Sequence, residues 1–330
     1  MHGLNNWQQT KAVGEEALCW TAFVFVVQIK DIAVTRKVKV ILNTYGGSLP
    51  GQTKIDLTEQ ALQAVKLDYD LEVTEFPEQG VELARRASEE GWPIVVAAGG
   101  DGTINAVVNG LIQAAGEAEA GILGIIPLGT ANDLADGLGL PSDPEFACQR
   151  IAIGKTRLID VGQVNGRYFA NNSAVGLEAV VTANHDRMRW VKGNTRYILA
   201  ALKAIITAKP WQMKVTWDNG QYDGPTILVS VGNNCRTGGK FYLTPNAMLE
   251  DGLIDFVYAT GMSRWQLFRL LPKTFSGDHI HHPMVNYKQT KTLSLSVSPP
   301  TLIQADGEIF EKNATNINYC VVPQKLHVIV

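Results

Sequence analysis

Three polar turns hold the residue types that could do chemistry in this sequence. Residues 94–115 read IVVAAGGDGTINAVVNGLIQAA, an apolar run that stops at Gly99-Gly100-Asp101-Gly102-Thr103 before a helix-like stretch. Strand, glycine turn and helix start together make an anion site, because glycines let backbone N–H groups approach a phosphate and the helix N-terminus adds partial positive charge. The alternative is a strand-to-helix turn that merely needs small residues. Asp101 stands inside the turn, where a carboxylate beside phosphates requires a cation or a hydroxyl donor to join it. The second turn, 127–133, reads PLGTAND and includes Thr130 and Asn132. It can cap a helix or bind a nucleotide. The third is Asp306-Gly307-Glu308, two carboxylates about a glycine. Such a pair can take a proton from a substrate hydroxyl, hold Mg²⁺ against a phosphate, or simply close a hairpin.

The elements around these turns give the first half a βα rhythm. Strands are expected at 38–42, 71–76, 94–98 and 121–127, with helices at 57–67 and 81–90 and after the glycine turn. Asp56 is available as an N-cap for the first helix. Alternation with short connections implies a parallel sheet covered by helices, which binds ligands beyond the carboxyl ends of its strands. Those ends carry Asn43, Thr44, Tyr45, Gly46 and Gly47, then Thr74, then 99–103 and 128–133. Beyond a helix at 145–153, short strands dominate, interrupted by helices at 195–208 and 263–271. The pattern is that of a β-sandwich or curved sheet. The expected fold is therefore α/β, a parallel-sheet nucleotide-binding domain over 37–155 followed by a β-rich domain over 156–330. The last strands of that second domain are free to return to the first. Residues 1–36 stand apart as an extension of unassigned role.

Composition sets the outer limits. The chain has 330 residues, 45% hydrophobic and 18% charged, and 29 basic against 32 acidic side chains give a net charge of −3. That is a globular protein with no general case for nucleic-acid binding. Four scattered cysteines without a CxxC pair fit a reducing cytoplasm and no zinc site. The apolar run 17–29 is shorter than the ~20 residues of a spanning helix, and its acidic flank is a poor signal sequence. No GxxxxGK[ST] is present, which excludes a P-loop. The stretch 185–211 sets Arg187, Arg189, Lys192, Arg196, Lys203 and Lys209 against Asp186 and carries Trp190 and Trp211. It reads either as a packed helix with a solvated basic edge or as a contact with an anionic bilayer. The histidines of 279–282 read as a surface loop.

GGDGTINAVVNGL, PLGTANDLA and QADGE, in this order, resemble the diacylglycerol/lipid kinase family, which includes sphingosine and ceramide kinases. The likeness spans residues 37–330 and extends to 171–176, 231–234, 238–239 and PNAMLEDGLID at 245–255. It implies ATP in a cleft between the two domains, touched by 43–47, Thr74, Gly99, Gly100, Asp101, Gly102, Thr103, Asn105, Thr130 and Asn132. It implies that Glu308, or next Asp306, deprotonates the lipid hydroxyl, and that catalytic Mg²⁺ rides on the phosphates near Asp101. It further implies a structural Mg²⁺ at the Asp251 carboxylate with main-chain oxygens of Met248 and Leu253. Two departures stand out: Asn43-Thr44 replaces the usual Asn-Pro, and Asp136 replaces a frequent arginine. The function implied is an ATP-dependent lipid kinase, with diacylglycerol the foremost acceptor, acting in the cytoplasm at a membrane surface. An NAD-kinase-like activity and a silent lipid-binding protein are the other readings. Oligomeric state is left open, a homodimer included.

Overall fold

The structure, a computed structural model, describes residues 36–330 apart from 46, 48, 77 and 189–194. The expectations for the N-terminal extension, Gly46, Arg189, Trp190 and Lys192 lie outside the described residues. Residues 36–330 form one compact unit. Its first part runs β1 (Lys37–Leu42), α1 (Gly51–Ala64), β2 (Asp68–Val73), α2 (Gln79–Glu89), β3 (Ile94–Gly99), α3 (Asp101–Ala115), β4 (Ala120–Pro127), α4 (Asp133–Gly137) and α5 (Pro144–Ile153). Strands dominate the remainder: β5 (Thr156–Val164), β6 (Arg167–Phe169), β7 (Asn172–Gly176), α6 (Leu177–Arg187), α7 (Thr195–Thr207), β8 (Trp211–Trp217) and β9 (Gly220–Gly232). It closes with β10 (Ile254–Thr260), α8 (Arg264–Leu270), β11 (Val285–Thr290), β12 (Thr292–Ala305) and β13 (Glu308–Ile329).

The order β4-β3-β1-β2 is parallel throughout. Helices cover both faces, so the inner strands β1, β3 and β4 are apolar at nearly every buried position, while the edge strand β2 carries Asp68, Asp70 and Glu72. Val38, Val40 and Leu42 pack with Leu62, Cys148 and Ile151 on one face, whereas Ile41, Val95 and Ala97 pack with Leu83, Ile104 and Val108 on the other. Period-two alternation thus separates two cores that the sequence shows only as one apolar run. Lys39 is the exception. It is buried, pairs with Asp70 at 2.8 Å and Glu72 at 2.7 Å on the edge strand, and lies beside the Trp92 ring. With those pairs, β2 starts at Asp68 and ends at Val73, three residues ahead of the expected 71–76 at both ends. Helix α1 also begins earlier than expected, at Gly51 after an extended Pro50, so Asp56 is an interior residue accepting from Gln52 and not the N-cap.

The second part joins the first through one strand. The C-terminal end of β13 runs parallel to β4, with Leu326 beside Ala120, while its length pairs antiparallel with β12 and β5. From β12 the sheet continues through β7, β9 and β10 to β11. Lys325, buried at this junction, donates to the Gly116 and Ala118 carbonyls just beyond α3. A separate apolar cluster gathers α6, α7 and α8 around Leu177, Ala201, Ile205 and Leu267. No helix among the described residues is long and apolar enough to cross a membrane.

Helices α2 and α3 touch through Gly110. A Cβ there would lie 2.3 Å from the Val81 carbonyl oxygen and 2.7 Å from Ala84 Cβ. Gly110→Ala should therefore destabilise the fold by about 1–3 kcal/mol, the cost of overpacking a filled contact, read as a lower urea midpoint.

Candidate functional site

The β12–β13 hairpin closes in two residues, with Ala305 paired to Glu308 and positive φ at both Asp306 (+46°) and Gly307 (+83°). That is the backbone for which an Asp-Gly pair is suited. The hairpin and catalytic readings of this turn are thus compatible. Asp306 is buried, and its carboxylate accepts four hydrogen bonds: Asn171 N–H at 2.9 Å and Asn172 N–H at 3.0 Å on Oδ1, Ala170 N–H and the Asn105 amide, both at 2.8 Å, on Oδ2. Burial pushes its pKa up and the four donors pull it back. With its oxygens so occupied, Asp306 is a positioning residue, and this separates it from Glu308 where the sequence could not.

Glu308, two residues on, stands half-exposed. Arg167 Nη2 bridges Glu308 Oε2 and Asn105 Oδ1 at 3.0 Å each. Burial raises the Glu308 pKa, and the Arg167 charge opposes the rise. A Cβ on Gly102 would fall 3.0 Å from Glu308 Oε1, so this carboxylate lies against the glycine turn. The turn itself is locked from behind. A Cβ on Gly129 would be 2.4 Å from Gly100 Cα, so these two loops meet backbone to backbone. Asp101 accepts from Asn132 N–H at 2.8 Å and Asp133 N–H at 2.6 Å, and Asn132, at φ +53°, accepts from Gly129 N–H at 3.0 Å. The sequence reading asks for a cation or hydroxyl beside Asp101; backbone donors already satisfy much of that need. Burial and the neighbouring Asp133 charge still raise its pKa.

Asp101, Gly102, Asp133, Asp306 and Gly307 border a cleft of about 720 Å³, while Glu308 and Arg167 stand beside the glycine turn and outside its lining. Of the sequence candidates, Gly47, Asp101, Gly102, Thr130 and Asp306 line it. Asn105 and Asn132 stand behind it as the braces described above, and Thr103 curls its hydroxyl under Gly99. Asn43 holds the first loop by accepting from Tyr45 N–H at 2.8 Å, Tyr45 Oη donates to the Glu75 carbonyl at 2.5 Å, and Thr44 packs on Gly51. Thr74 is buried at the end of β2, and its hydroxyl has no hydrogen-bond partner among the described residues. Sequence reasoning missed Arg167, Glu178, Arg196 and Tyr197, the last three of which line the cleft. It also missed Lys54, which is buried and donates to the Asn43 and Tyr45 carbonyls.

Met248, Asp251 and Leu253 do not line the cleft. Their turn packs on Asp160, whose carboxylate accepts from Gly252 N–H at 2.7 Å and Gln324 N–H at 2.7 Å, while Asp251 accepts from Leu253 N–H at 3.1 Å. Burial first, and the Asp160 charge with it, raises the Asp251 pKa. No cluster of three or more His, Cys, Asp or Glu side chains suited to a metal occurs among the described residues. The reversed charge at Asp136 has a partner, Arg236, which forms an ion pair with it and lies beside the Tyr242 ring. His279 is buried, not on a surface loop, with Nε2 3.1 Å from the Leu243 carbonyl oxygen.

Glycine turns at the strand ends of a helix-covered parallel sheet, facing a carboxylate from a strand-rich second half, are the arrangement a phosphotransferase of the lipid kinase type needs. Residues 37–164 match the diacylglycerol kinase catalytic domain, and 172–330 match the YegS C-terminal NAD kinase beta sandwich-like domain. The chain is 34% identical over 227 residues to a YegS-like protein of Chromohalobacter salexigens named as a probable lipid kinase, covering 66% of this chain and 73% of that one. It is 32% identical to a diacylglycerol kinase of Staphylococcus haemolyticus over 71% of this chain and 70% of that one. A crystal structure of a diacylglycerol kinase from Bacillus anthracis shares the fold, with a TM-score of 0.67 at 19% identity over 89% of this chain and 96% of that one. The chain belongs to this family of lipid kinases, whose catalytic domain implies ATP as phosphoryl donor.

Asp306→Ala would strand three backbone N–H groups and one amide in a buried place, each costing about 1–3 kcal/mol. We expect a loss of stability of about 3 kcal/mol or more in urea denaturation, together with lost activity, whereas Glu308→Gln should leave the urea midpoint in place.

Proposed function

We propose that this lipid kinase transfers the γ-phosphoryl group of ATP to the free hydroxyl of a diacylglycerol, giving phosphatidate, at a cytoplasmic membrane surface. The observation that carries the reading is the approach of Glu308 to Gly102, which puts a candidate base beside the phosphate-binding turn. In the step, Glu308 takes the hydroxyl proton, the freed oxygen bonds to the γ-phosphorus, and the bond to the β–γ bridging oxygen breaks, leaving ADP. Arg167 orients the Glu308 carboxylate, and Asp306 holds the hairpin that carries it. The N-terminus of α3 and the N–H groups of 100–103 meet the phosphate charge. Positioning and charge neutralisation do most of the work in such transfers.

Asp101 and Asp133 are the residues proposed to hold Mg²⁺ with the nucleotide. Burial raises the proton affinity of both, and their charges sharpen the effect at Asp101, a donor set of hard oxygens that a divalent cation would relieve. Bound there, the ion supplies charge neutralisation at the phosphates. Asp251, with the main-chain oxygens of Met248 and Leu253, is proposed as the structural Mg²⁺ site; the nearby Asp160 charge favours a cation. Contact with an anionic bilayer is proposed through α7 and α8. Ile198, Leu199, Ile206 and Trp265 are exposed there, Trp265 at 77%, among the exposed Lys203, Arg264 and Arg269.

Glu308→Gln should lower kcat by about 10²–10⁴-fold with diacylglycerol in mixed micelles while leaving nucleotide binding intact. Turnover near the wild-type rate would remove Glu308 as the base. In the wild type, activity requires the ionised carboxylate, so the acid limb of kcat/KM should fall above the ordinary glutamate value of 4.5, and activity should be lost as pH drops through it. Added Mg²⁺ should raise the thermal midpoint of the nucleotide-free protein, and Asp251→Asn should diminish that shift.

A further inference from the structure

The loop that follows β1 is held by a buried lysine that no step of the transfer uses. Lys54 is the fourth residue of α1 and is 2% exposed. Its Nζ donates to the Asn43 and Tyr45 carbonyls at 3.3 Å each. It also lies 3.6 Å from the place a Cβ on Gly47 would take, and the Leu128 carbonyl oxygen is at the same distance from that place. Gly47, at φ +70°, lines the cleft. One amino group thus stands where α1, the first loop and the second glycine turn meet.

Packing alone does not call for a lysine here. A methionine of similar length fills such a space with no charge to strip of water. Burial lowers the Lys54 pKa, so its charged form is costly unless oxygens surround it. The carbonyls of Asn43 and Tyr45 are such oxygens, and meeting Lys54 sets their direction. A trans peptide is planar and points its N–H opposite to its C=O. With the Asn43 carbonyl turned towards α1, the Thr44 N–H is turned away from it. Asn43 completes the brace: its N–H donates to the Ala98 carbonyl at 3.0 Å, and its side chain accepts from Tyr45 N–H at 2.8 Å. All these bonds lie within the protein, so Asn43 and Tyr45 keep their places without a ligand's help.

We propose that Lys54 is a positioning residue for the phosphoryl donor, tying the loop about Asn43 and Tyr45 to α1 so that its N–H side meets the nucleotide. The proposal rests on the reading of ATP as that donor. Lys54 touches no reacting atom and acts through the loop. A loop ordered in advance loses less entropy when the nucleotide binds. The gain is the same in the ground state and the transition state, so it appears in affinity and not in the chemical step. Lys54 therefore sets KM for ATP and leaves kcat in place.

The test is calorimetric binding of a non-hydrolysable ATP analogue with Mg²⁺ to the full chain, without lipid. Lys54→Met should weaken binding by about tenfold or more, the effect of losing hydrogen bonds from a charged donor. In mixed micelles KM for ATP should rise by the same factor, with kcat at saturating ATP within about twofold of the wild type. Lys39→Met is the control. Lys39 is also a buried lysine, but it pairs with Asp70 and Glu72, so its loss should lower the thermal midpoint without moving KM. Unchanged analogue affinity in Lys54→Met overturns the proposal, and so does a fall in kcat with KM unmoved. Hydrogen exchange on the wild type decides the matter should Lys54→Met not fold. The Tyr45 amide should be protected equally with and without the analogue, and protection only in its presence overturns a loop set in advance. A wild-type protein that binds no analogue would instead remove the reading of ATP as donor, and this proposal with it.

Discussion

The Asp306 carboxylate is buried at the wall of the cleft and is held by four donors from two distant parts of the chain. Asn105 comes from α3 in the first half, 201 positions away, and the N–H groups of 170–172 come from the entry to β7. Asp306 thus draws the glycine-turn helix, the β7 entry and the terminal hairpin to one point. Its energetics are asymmetric, as for any buried polar group: made bonds contribute modestly, whereas unmade ones cost the full desolvation of each donor. The consequence is register. With Asp306 fixed, the two-residue hairpin leaves Glu308 no choice but to emerge beside Gly102.

Around this anchor the cleft is acidic, and its acids are not equivalent. Asp101, Asp133 and Asp306 each accept backbone N–H donors, and each is nonetheless driven towards protonation by burial. Glu308 is half-exposed and pairs with Arg167. With solvent access and a cationic neighbour it can exchange a proton, while the N–H donors around Asp306 fix the direction of its carboxylate. Two carboxylates that read alike as D-G-E in sequence thus acquire different work from their surroundings.

Much of the frame was legible because its causes are local. Glycines 99–102 mark a strand end, PLGTAND marks another, and apolar runs mark strands buried on both faces. The close contact of Gly100 with Gly129 explains why both turns need glycine, yet neither turn reveals the other. Misplaced boundaries have tertiary causes. β2 lies three residues earlier than expected, where Asp70 and Glu72 meet Lys39 of β1, and α1 starts early because Pro50 sets the entry. Within 279–282 the surface reading fails at His279 alone, which closes over the Leu243 carbonyl, while His281 is exposed.

What the sequence could not show are side chains whose role comes from long-range placement. Arg167 is the first residue of the short β6, and only the fold sets it between Asn105 and Glu308. Asp136 reads as a lost positive charge until Arg236, from a loop 100 positions later, restores it. Glu178 is the extreme case. It is the second residue of α6, where an acidic residue is ordinary for the macrodipole, so nothing about its type or spacing is unusual. Its environment is what is unusual: it is buried at the cleft wall, takes the Asn172 and Gln304 amides on one oxygen, and has its pKa pushed up to about 7 by burial. Such residues are found by asking where each buried polar atom finds its partner, a question that requires the coordinates of the whole chain.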